Sequence, residues 1–220
     1  APKRDAQDAN FCSLDLSPMG ACDATDVDVN VQGSLTGSTV ASLIASVDSV
    51  YKLGEKIGVG TYGTVYKVEC KRTKAPFALK TVQPRSEASI TDAEAEKVAL
   101  EELQHPSILR LHAFFLEGGV YHLITEFCQG GDLKSYIADF VQRRKTVHRG
   151  YASGLPTEIA APYAWQMLNG LSFIHGRGFI HRDIKPDNYL LLTRSQGSVL
   201  KLADFGFACR IGTEEVLSRA

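Results

Sequence analysis

The sequence predicts an α+β fold in which an antiparallel β-sheet with one helix is followed by a mainly helical region. Between residues 51 and 127, short segments of β-branched and aromatic residues alternate with glycine-containing turns, a pattern typical of antiparallel strands. From residue 128 onward, apolar residues recur at helical spacing over longer stretches. With 220 residues, of which 44% are hydrophobic, the chain can bury the core of one domain or slightly more.

Composition excludes several classes of function. The formal net charge is −1, but residues 1–48 hold two basic residues and seven aspartates, a balance of −5, so the remainder carries +4. The basic residues form no stripe, which argues against nucleic-acid binding. No apolar run approaches the roughly 20 residues of a membrane span. The five cysteines are odd in number and widely spaced, unlike a zinc knuckle or a disulfide framework, so we expect an intracellular protein of the cytoplasm or nucleus.

Residues 1–48 differ in composition from the rest of the chain. They are rich in Ser, Thr, Asp, Ala and Gly, and their low apolar content predicts a disordered acidic leader. A docking or autoinhibitory segment centred on Leu43 and Ile44 is the alternative. The sequence does not decide between the two.

A glycine-rich segment interrupts the first strands. Gly58, Gly60 and Gly63 have the spacing Gly-x-Gly-x-x-Gly, which dinucleotide-binding oxidoreductases also use. In those proteins a helix begins inside the glycines, whereas Thr64 to Val68 are β-branched or aromatic and predict a strand. We therefore predict a hairpin whose glycine turn offers backbone N–H groups to phosphates.

The remaining elements follow in order. We predict a strand at Phe77–Lys80, a helix at Ser89–Leu103, strands at Ile108–Phe115 and Val120–Phe127, and helices at Leu133–Phe140 and Thr157–His175. Expected to face the core are Val98, Ala99 and Leu103 of the first helix, and Trp165, Leu168, Leu171 and Ile174 of the last. Pro162, inside the last helix, predicts either a kink or a late helix start. The basic residues 141–156 predict a solvated loop, with a docking surface as the alternative.

The densest group of polar side chains lies between Phe179 and Asn188, in the order Phe-Ile-His-Arg-Asp-Ile-Lys-Pro-Asp-Asn. Apolar residues flank it on both sides, as expected for a loop that must hold charges at fixed positions. Sixteen residues after Asn188 comes the triplet Asp204-Phe205-Gly206. The two motifs in this order resemble the catalytic loop and the metal-binding triplet of the eukaryotic protein kinases of Ser/Thr type.

This resemblance covers about residues 51–220 and implies a fold of two lobes. The N-terminal lobe, residues 51–127, would hold a five-stranded antiparallel sheet with one helix, and residues 128–220 would form part of the mainly helical C-terminal lobe. The chain begins with Ala, ends 14 residues after Gly206 and lacks an Ala-Pro-Glu motif. We therefore expect a fragment that ends within the activation segment and is inactive on its own.

The resemblance also implies catalytic roles. Lys80 would orient the α- and β-phosphates of ATP and would be held by Glu96. Glu94 is the alternative if the helix register is shifted, and Glu101 and Glu102 are less favoured alternatives. Asp183 would accept the proton of the substrate hydroxyl, and Lys185 would balance the charge of the γ-phosphate.

The same resemblance assigns the metal and nucleotide contacts. Asn188 and Asp204 would bind Mg²⁺. The three glycines would cover the phosphates. Adenine would be enclosed by Val65, Ala78 and Leu190 beside a gatekeeper, Thr125, and would bind the backbone of a hinge that includes Glu126 and Cys128. Asp132 would contact the ribose, or cap the helix that follows it, or both.

Further residues bear on regulation and substrate class. His181 and Phe205 would stack with Leu100 and Leu111 into the regulatory column of the family. Lys185, within Asp-x-Lys-Pro-x-Asn, favours a protein substrate with a Ser or Thr hydroxyl. Arg182 before the catalytic Asp implies an upstream activating kinase that phosphorylates Thr213, Ser218 or a later residue. The competing hypothesis is a truncated or pseudokinase-like module that binds nucleotide and regulates a partner without phosphoryl transfer.

Overall fold

The computed structural model describes residues 46–60, 63–147 and 154–211. In chain order these form α1 (Val47–Val50), β1 (Tyr51–Gly60), β2 (Gly63–Cys70), β3 (Pro76–Val82), α2 (Glu87–Glu102), β4 (Leu111–Glu117), β5 (Val120–Glu126), α3 (Leu133–Val147), α4 (Thr157–Gly176), β6 (Phe179–Ile180), a 3₁₀ turn (Pro186–Asn188), β7 (Tyr189–Leu191), β8 (Leu200–Leu202), a second 3₁₀ turn (Phe205–Phe207) and β9 (Cys209–Arg210). The first five strands form an antiparallel sheet in the order β1-β2-β3-β5-β4, and β6-β9 and β7-β8 form two short ribbons. The predicted α+β fold with a five-stranded sheet is confirmed.

Alternation along β3 gives the large sheet two different faces. Phe77 and Leu79 are buried on one face, in a small core that includes Val47 of α1. Val82 is buried on the other face, in the main core together with residues of α2. Because side chains two residues apart point to the same side of a strand, Lys80 shares the face of Val82. The face that carries Lys80 is therefore the one directed at the main core and α2.

Helix α2 begins earlier than predicted and turns a different face inward. Ser86 and Ser89 form a reciprocal capping box that starts the helix at Glu87. Ala99 and Leu103 are buried as predicted, but Val98 is 40% exposed, so its predicted core position is wrong. The buried stripe passes through Ala93, Glu96 and Leu100, at spacings of three and four residues, and Val98 lies off it.

Helix α4 also buries a different face from the predicted one. Ile174 is buried as predicted, but Trp165 and Leu168 are 62% and 67% exposed, so their predicted core positions are wrong. The helix instead buries a stripe that includes Ile159, Tyr163 and Gly170. It begins at Thr157, so Pro162 does not delay the start. Neither α4 nor any other helix among the described residues has the length and apolar character to cross a membrane.

Two predicted boundaries change. Helix α3 continues to Val147, so the first seven residues of the basic segment 141–156 are helical and the predicted loop is wrong there. Residues 148–153 lie outside the described residues, as do residues 1–45 of the predicted leader. Helix α1 begins at Val47, which is buried, so the packed structure starts before residue 51.

Two glycines of the β1–β2 hairpin give a matched stability prediction. A Cβ at Gly63 would overlap the backbone carbonyl of Thr81, whereas a Cβ at Gly58 would meet its nearest neighbour, Cβ of Val65, at 3.9 Å. We expect Gly63→Ala to lower the free energy of unfolding by about 1–3 kcal/mol through overpacking, and Gly58→Ala to change it by less than about 0.5 kcal/mol. Urea denaturation checks this. Equal effects of the two substitutions would show that the close approach at Gly63 does not matter.

Candidate active site

The centre of the site is an ammonium group between two carboxylates. The Nζ atom of Lys80 in β3 lies 2.7 Å from both carboxylate oxygens of Glu96 in α2 and 3.1 Å from Oδ1 of Asp204. The Lys80 and Glu96 side chains are 16% and 5% exposed. Glu96, and not Glu94, is therefore the partner of Lys80. Glu94 instead accepts a hydrogen bond from the hydroxyl of Tyr121 at 3.1 Å.

Electrostatics favour the charged form of Lys80. Burial on its own would lower the pKa of this ammonium, but the carboxylates of Glu96 and Asp204 outweigh burial and raise the pKa above its ordinary value. Lys80 thus remains a cation at neutral pH and joins the sheet, α2 and the segment after β8.

A second group of contacts organises the loop between β6 and β7. The Nζ atom of Lys185 lies 2.6 Å from Oδ2 of Asp183. The side-chain amide of Asn188 donates hydrogen bonds to the carbonyl and to Oδ2 of Asp183, both at 2.8 Å. Burial would raise the pKa of Asp183, but the hydrogen bonds from Lys185 and Asn188 lower it below the usual Asp value. The carboxylate is therefore ionised and oriented at neutral pH.

The side chain of His181 connects this loop to the residue before Asp204. Its Nδ1 accepts the backbone N–H of Asp183 at 3.3 Å, which leaves Nε2 to donate to the carbonyl of Ala203 at 3.0 Å. Burial lowers the pKa of His181, so the ring is neutral, in agreement with one accepting and one donating nitrogen. The ring packs edge-on against Phe205, with centroids 4.7 Å apart. Leu100 and Leu111 belong to the same core as Phe205, as the predicted column requires.

Two residues of the site have left-handed backbone conformations. Arg182 has φ of 65° and Asp204 has φ of 61°. Such conformations are uncommon for residues with a Cβ and occur where surrounding contacts over-determine them, often at functional sites. Arg182 is held by a hydrogen bond from its Nε to the carbonyl of Phe207 at 2.6 Å.

The predicted adenine pocket lies on the face of the sheet that carries Lys80. Val65 pairs with Lys80, and Ala78 pairs with Thr125, so these side chains point to the same side. Thr125 is buried. Within the described part of the chain, neither the N–H nor the C=O of Cys128 has a hydrogen-bond partner. Burial raises the pKa of the Cys128 thiol to about 12, so the thiol is neutral.

The remaining predicted residues surround this pocket. Asp132 forms a bridge with Leu190, which is partly buried, and accepts the backbone N–H of Ser135 at 2.7 Å, so its predicted role as a helix cap is confirmed. Gly58 pairs with Val65 and Gly60 with Gly63 across the hairpin. The hairpin tip, residues 61 and 62, lies outside the described residues.

The structure reveals two ion pairs that sequence reasoning missed. Lys134 of α3 contacts Asp187 of the loop at 2.7 Å, and Lys201 of β8 contacts Glu126 at 2.9 Å. A signal existed for Lys201, because a lysine between Leu200 and Leu202 in a short buried strand requires a partner. No local pattern identifies that partner.

Comparison with known proteins agrees with this geometry. The family model described as "Protein kinase domain" matches residues 51–219. The chain belongs to the protein kinase family. The kinase chain is 38% identical over 159 residues to serine/threonine-protein kinase ULK3 of Homo sapiens, covering 71% of this chain and 31% of that protein. It is 31% identical over 179 residues to serine/threonine-protein kinase RAD53 of Saccharomyces cerevisiae, covering 79% of this chain and 20% of that protein.

A solved structure supports the same fold. The twitchin kinase fragment of C. elegans aligns with a TM-score of 0.63 at 28% identity, covering 76% of this kinase and 34% of that chain. This kinase chain spans 20–31% of the length of the two curated relatives, ULK3 and RAD53.

The contact between Lys185 and Asp183 yields a pH prediction. Because folding lowers the pKa of Asp183, this carboxylate stabilises the folded state above its unfolded pKa and loses that contribution as pH falls through the folded pKa. Lys185→Met removes a hydrogen bond to the ionised form, so we expect the pKa of Asp183 to rise. Carboxyl-carbon NMR titration measures it. Lys134→Met, whose ammonium contacts Asp187, is the control and should leave the pKa of Asp183 unchanged.

Proposed function

We propose that this chain is the nucleotide-binding and catalytic part of a protein serine/threonine kinase that transfers the γ-phosphoryl group of ATP to a Ser or Thr hydroxyl of a protein. The observation that supports it most is the network around Lys80 and Asp183. Lys80 contacts Glu96 and Asp204, and Asp183 contacts Lys185 and Asn188. Phosphoryl transfer requires positioning and charge neutralisation more than covalent chemistry, and these are the groups that supply both.

The residues present fit Mg²⁺ and ATP. Mg²⁺ prefers oxygen ligands and usually keeps several waters, so few protein ligands are needed. Asp204 offers a carboxylate, and Asn188 offers its Oδ1, since its side-chain nitrogen is engaged by Asp183. When bound, the metal would neutralise negative charge on the phosphate oxygens.

The chain's own groups would hold the nucleotide as follows. Lys80, fixed by Glu96, would bind the α- and β-phosphates, while the backbone at Gly58, Gly60 and Gly63 covers them. The unpaired N–H and C=O of Cys128, next to the backbone of Glu126, would bind the adenine edge. Val65, Ala78 and Leu190 would enclose its faces, and Asp132 would be available to the ribose.

Asp183 would orient the substrate hydroxyl and accept its proton. Its pKa lies below the usual Asp value, so the carboxylate is ionised and can accept a hydrogen bond at neutral pH. Lys185, now 2.6 Å from Asp183, would shift its contact to the γ-phosphate when the nucleotide is present. Because the five cysteines are odd in number and widely spaced, unlike a disulfide framework, we propose a cytoplasmic or nuclear location.

The nucleotide-binding module without transfer has less support. Such a module has no need of the contacts that orient Asp183, and those contacts are intact. We expect the 220-residue chain alone to be inactive. Assaying this chain and the full-length protein side by side for ATP-dependent phosphorylation of a protein substrate tests this expectation.

Asp183→Asn tests the proposal. We expect it to reduce ATP-dependent phosphorylation of a Ser/Thr protein substrate by about 10³-fold or more, because the proton acceptor and its orientation are lost. Binding of ATP, followed by calorimetry, should change little. Asp187→Asn, in the same loop but paired with Lys134, is the matched control and should retain activity within about tenfold. Nucleotide binding without any transfer by the parent protein would contradict the kinase proposal and favour the module.

Arg182 supports a proposal for activation. Its side chain forms a hydrogen bond to Phe207 and no ion pair with a described residue, so its charge is available to a phosphate. We expect an upstream kinase to phosphorylate Thr213, Ser218 or a later hydroxyl residue, of which Thr213 and Ser218 lie outside the described residues.

Replacing every hydroxyl residue of the activation loop by Ala, Thr213 and Ser218 included, tests this activation. We expect kcat to fall by about tenfold or more because the loop loses a charge-assisted contact. Replacement of Thr193 and Ser195, which contact each other in the β7–β8 connection, is the control. Full activity after alanine replacement of every activation-loop hydroxyl would contradict the proposal.

A further inference from the structure

A mostly buried cation lies behind the segment that follows β5. Lys201 is the middle residue of β8, and its Nζ lies 2.9 Å from Oε1 of Glu126, the last residue of β5. The two side chains are 11% and 17% exposed. Burying a charged group costs desolvation free energy unless it has a partner of opposite charge. This pair therefore differs from an exposed ion pair on the surface.

The carboxylate of Glu126 has a second partner. Its Oε1 also accepts the backbone N–H of Arg110 at 2.8 Å, and the N–H of Glu126 donates to the carbonyl of Arg110 at 3.0 Å. The end of β5 is therefore tied through backbone and side chain to the segment before β4, and through Lys201 to β8.

Strand β8 is the fixed partner in this arrangement. Leu202 donates to the carbonyl of Ser107 at 2.8 Å and accepts from Leu109 at 2.9 Å, while the N–H of Leu200 donates to the side chain of Gln166 at 2.8 Å. The residues before and after Lys201 are therefore both held by hydrogen bonds to other parts of the chain. Three residues later along the chain is Asp204.

The other side of the pair has fewer constraints. Two residues after Glu126 comes Cys128, whose backbone groups have no partner among the described residues. Backbone pairing resumes at Gln129, which donates to the carbonyl of Leu192 at 3.2 Å. The position of the segment 127–128 therefore depends on its two ends, and Lys201 helps to fix one of them.

We propose that the Lys201–Glu126 ion pair is a hinge clamp, which fixes residues 126–128 relative to β8 and thereby sets the separation between the adenine-binding backbone and Asp204. Lys201 acts through Glu126, so it is a positioning residue and is not expected to contact the nucleotide. This inference rests on the proposed nucleotide site and assigns to Glu126 a side-chain role in addition to its backbone role.

The test uses the double variant Glu126→Gln with Lys201→Met in the full-length protein. Removing both charges leaves no lone buried charge, so this variant should fold even if a single substitution does not. Gln at position 126 can still accept the N–H of Arg110, so only the contact with Lys201 is lost. Without nucleotide, we expect hydrogen–deuterium exchange of the amides of Glu126 and Gln129, which donate to Arg110 and Leu192, to become about tenfold faster. We expect KM for ATP to rise about fivefold or more while kcat changes by less than about threefold.

Two controls separate positioning from general stability. The single variant Lys201→Arg keeps both the positive charge and Glu126, so it should retain slow exchange and the parental KM. Lys74→Met breaks an exposed pair with Glu69, 3.7 Å apart beside the β2–β3 turn, and should change neither readout.

The outcomes are distinct. A double variant with a lower Tm but parental exchange at the amides of Glu126 and Gln129 and a parental KM would overturn the clamp and leave a structural ion pair. Because the exchange measurement needs neither ATP nor transfer, it decides the clamp even if the parent protein proves inactive, which would contradict the proposed function instead.

Discussion

The contact of Lys80 with Glu96 and Asp204 is the interaction on which the site depends, because it joins side chains from three different elements of the chain. Lys80 belongs to the sheet, Glu96 to α2, and Asp204 to the segment after β8. One ammonium facing two carboxylates leaves an excess of negative charge in a partly buried place. A divalent cation beside Asp204 would balance that excess, so the same charge arrangement that orders the three elements also suits the cofactor of the proposed reaction.

The loop that carries Asp183 depends on a neutral ring. His181 accepts from one backbone group and donates to another, which fixes the chain on both sides of Arg182 in its left-handed conformation. Conformations of this kind cost of order 1–3 kcal/mol each, and they persist when neighbouring contacts hold them. Packing of His181 on Phe205 therefore links the geometry of Asp183 to that of Asp204, since Phe205 directly follows Asp204.

Much of this arrangement could be predicted from the sequence, because the charged motifs are local and their spacing is specific. Glu96, which the resemblance assigns to Lys80, is the residue that contacts it. The inward faces of the helices were less predictable: Val98, Trp165 and Leu168 are apolar, yet apolar character does not say which side of a helix meets the core. The charge of the segment after Phe140 predicts a loop, but Arg, Lys and Gln are good helix formers, and α3 continues through them.

Lys201 illustrates a different limit. Its partner Glu126 lies 75 residues earlier in the chain, and only the tertiary fold brings the two together. The proposed role of the pair concerns how groups from distant parts of the chain are held together in one site. Lys80 comes from the sheet and Glu96 from α2, whereas Asp183 and Asn188 come from the loop between β6 and β7, so a shift of the sheet relative to that loop would separate them. The proposed clamp would limit such a shift at the end of β5, because Lys201 joins Glu126 to β8.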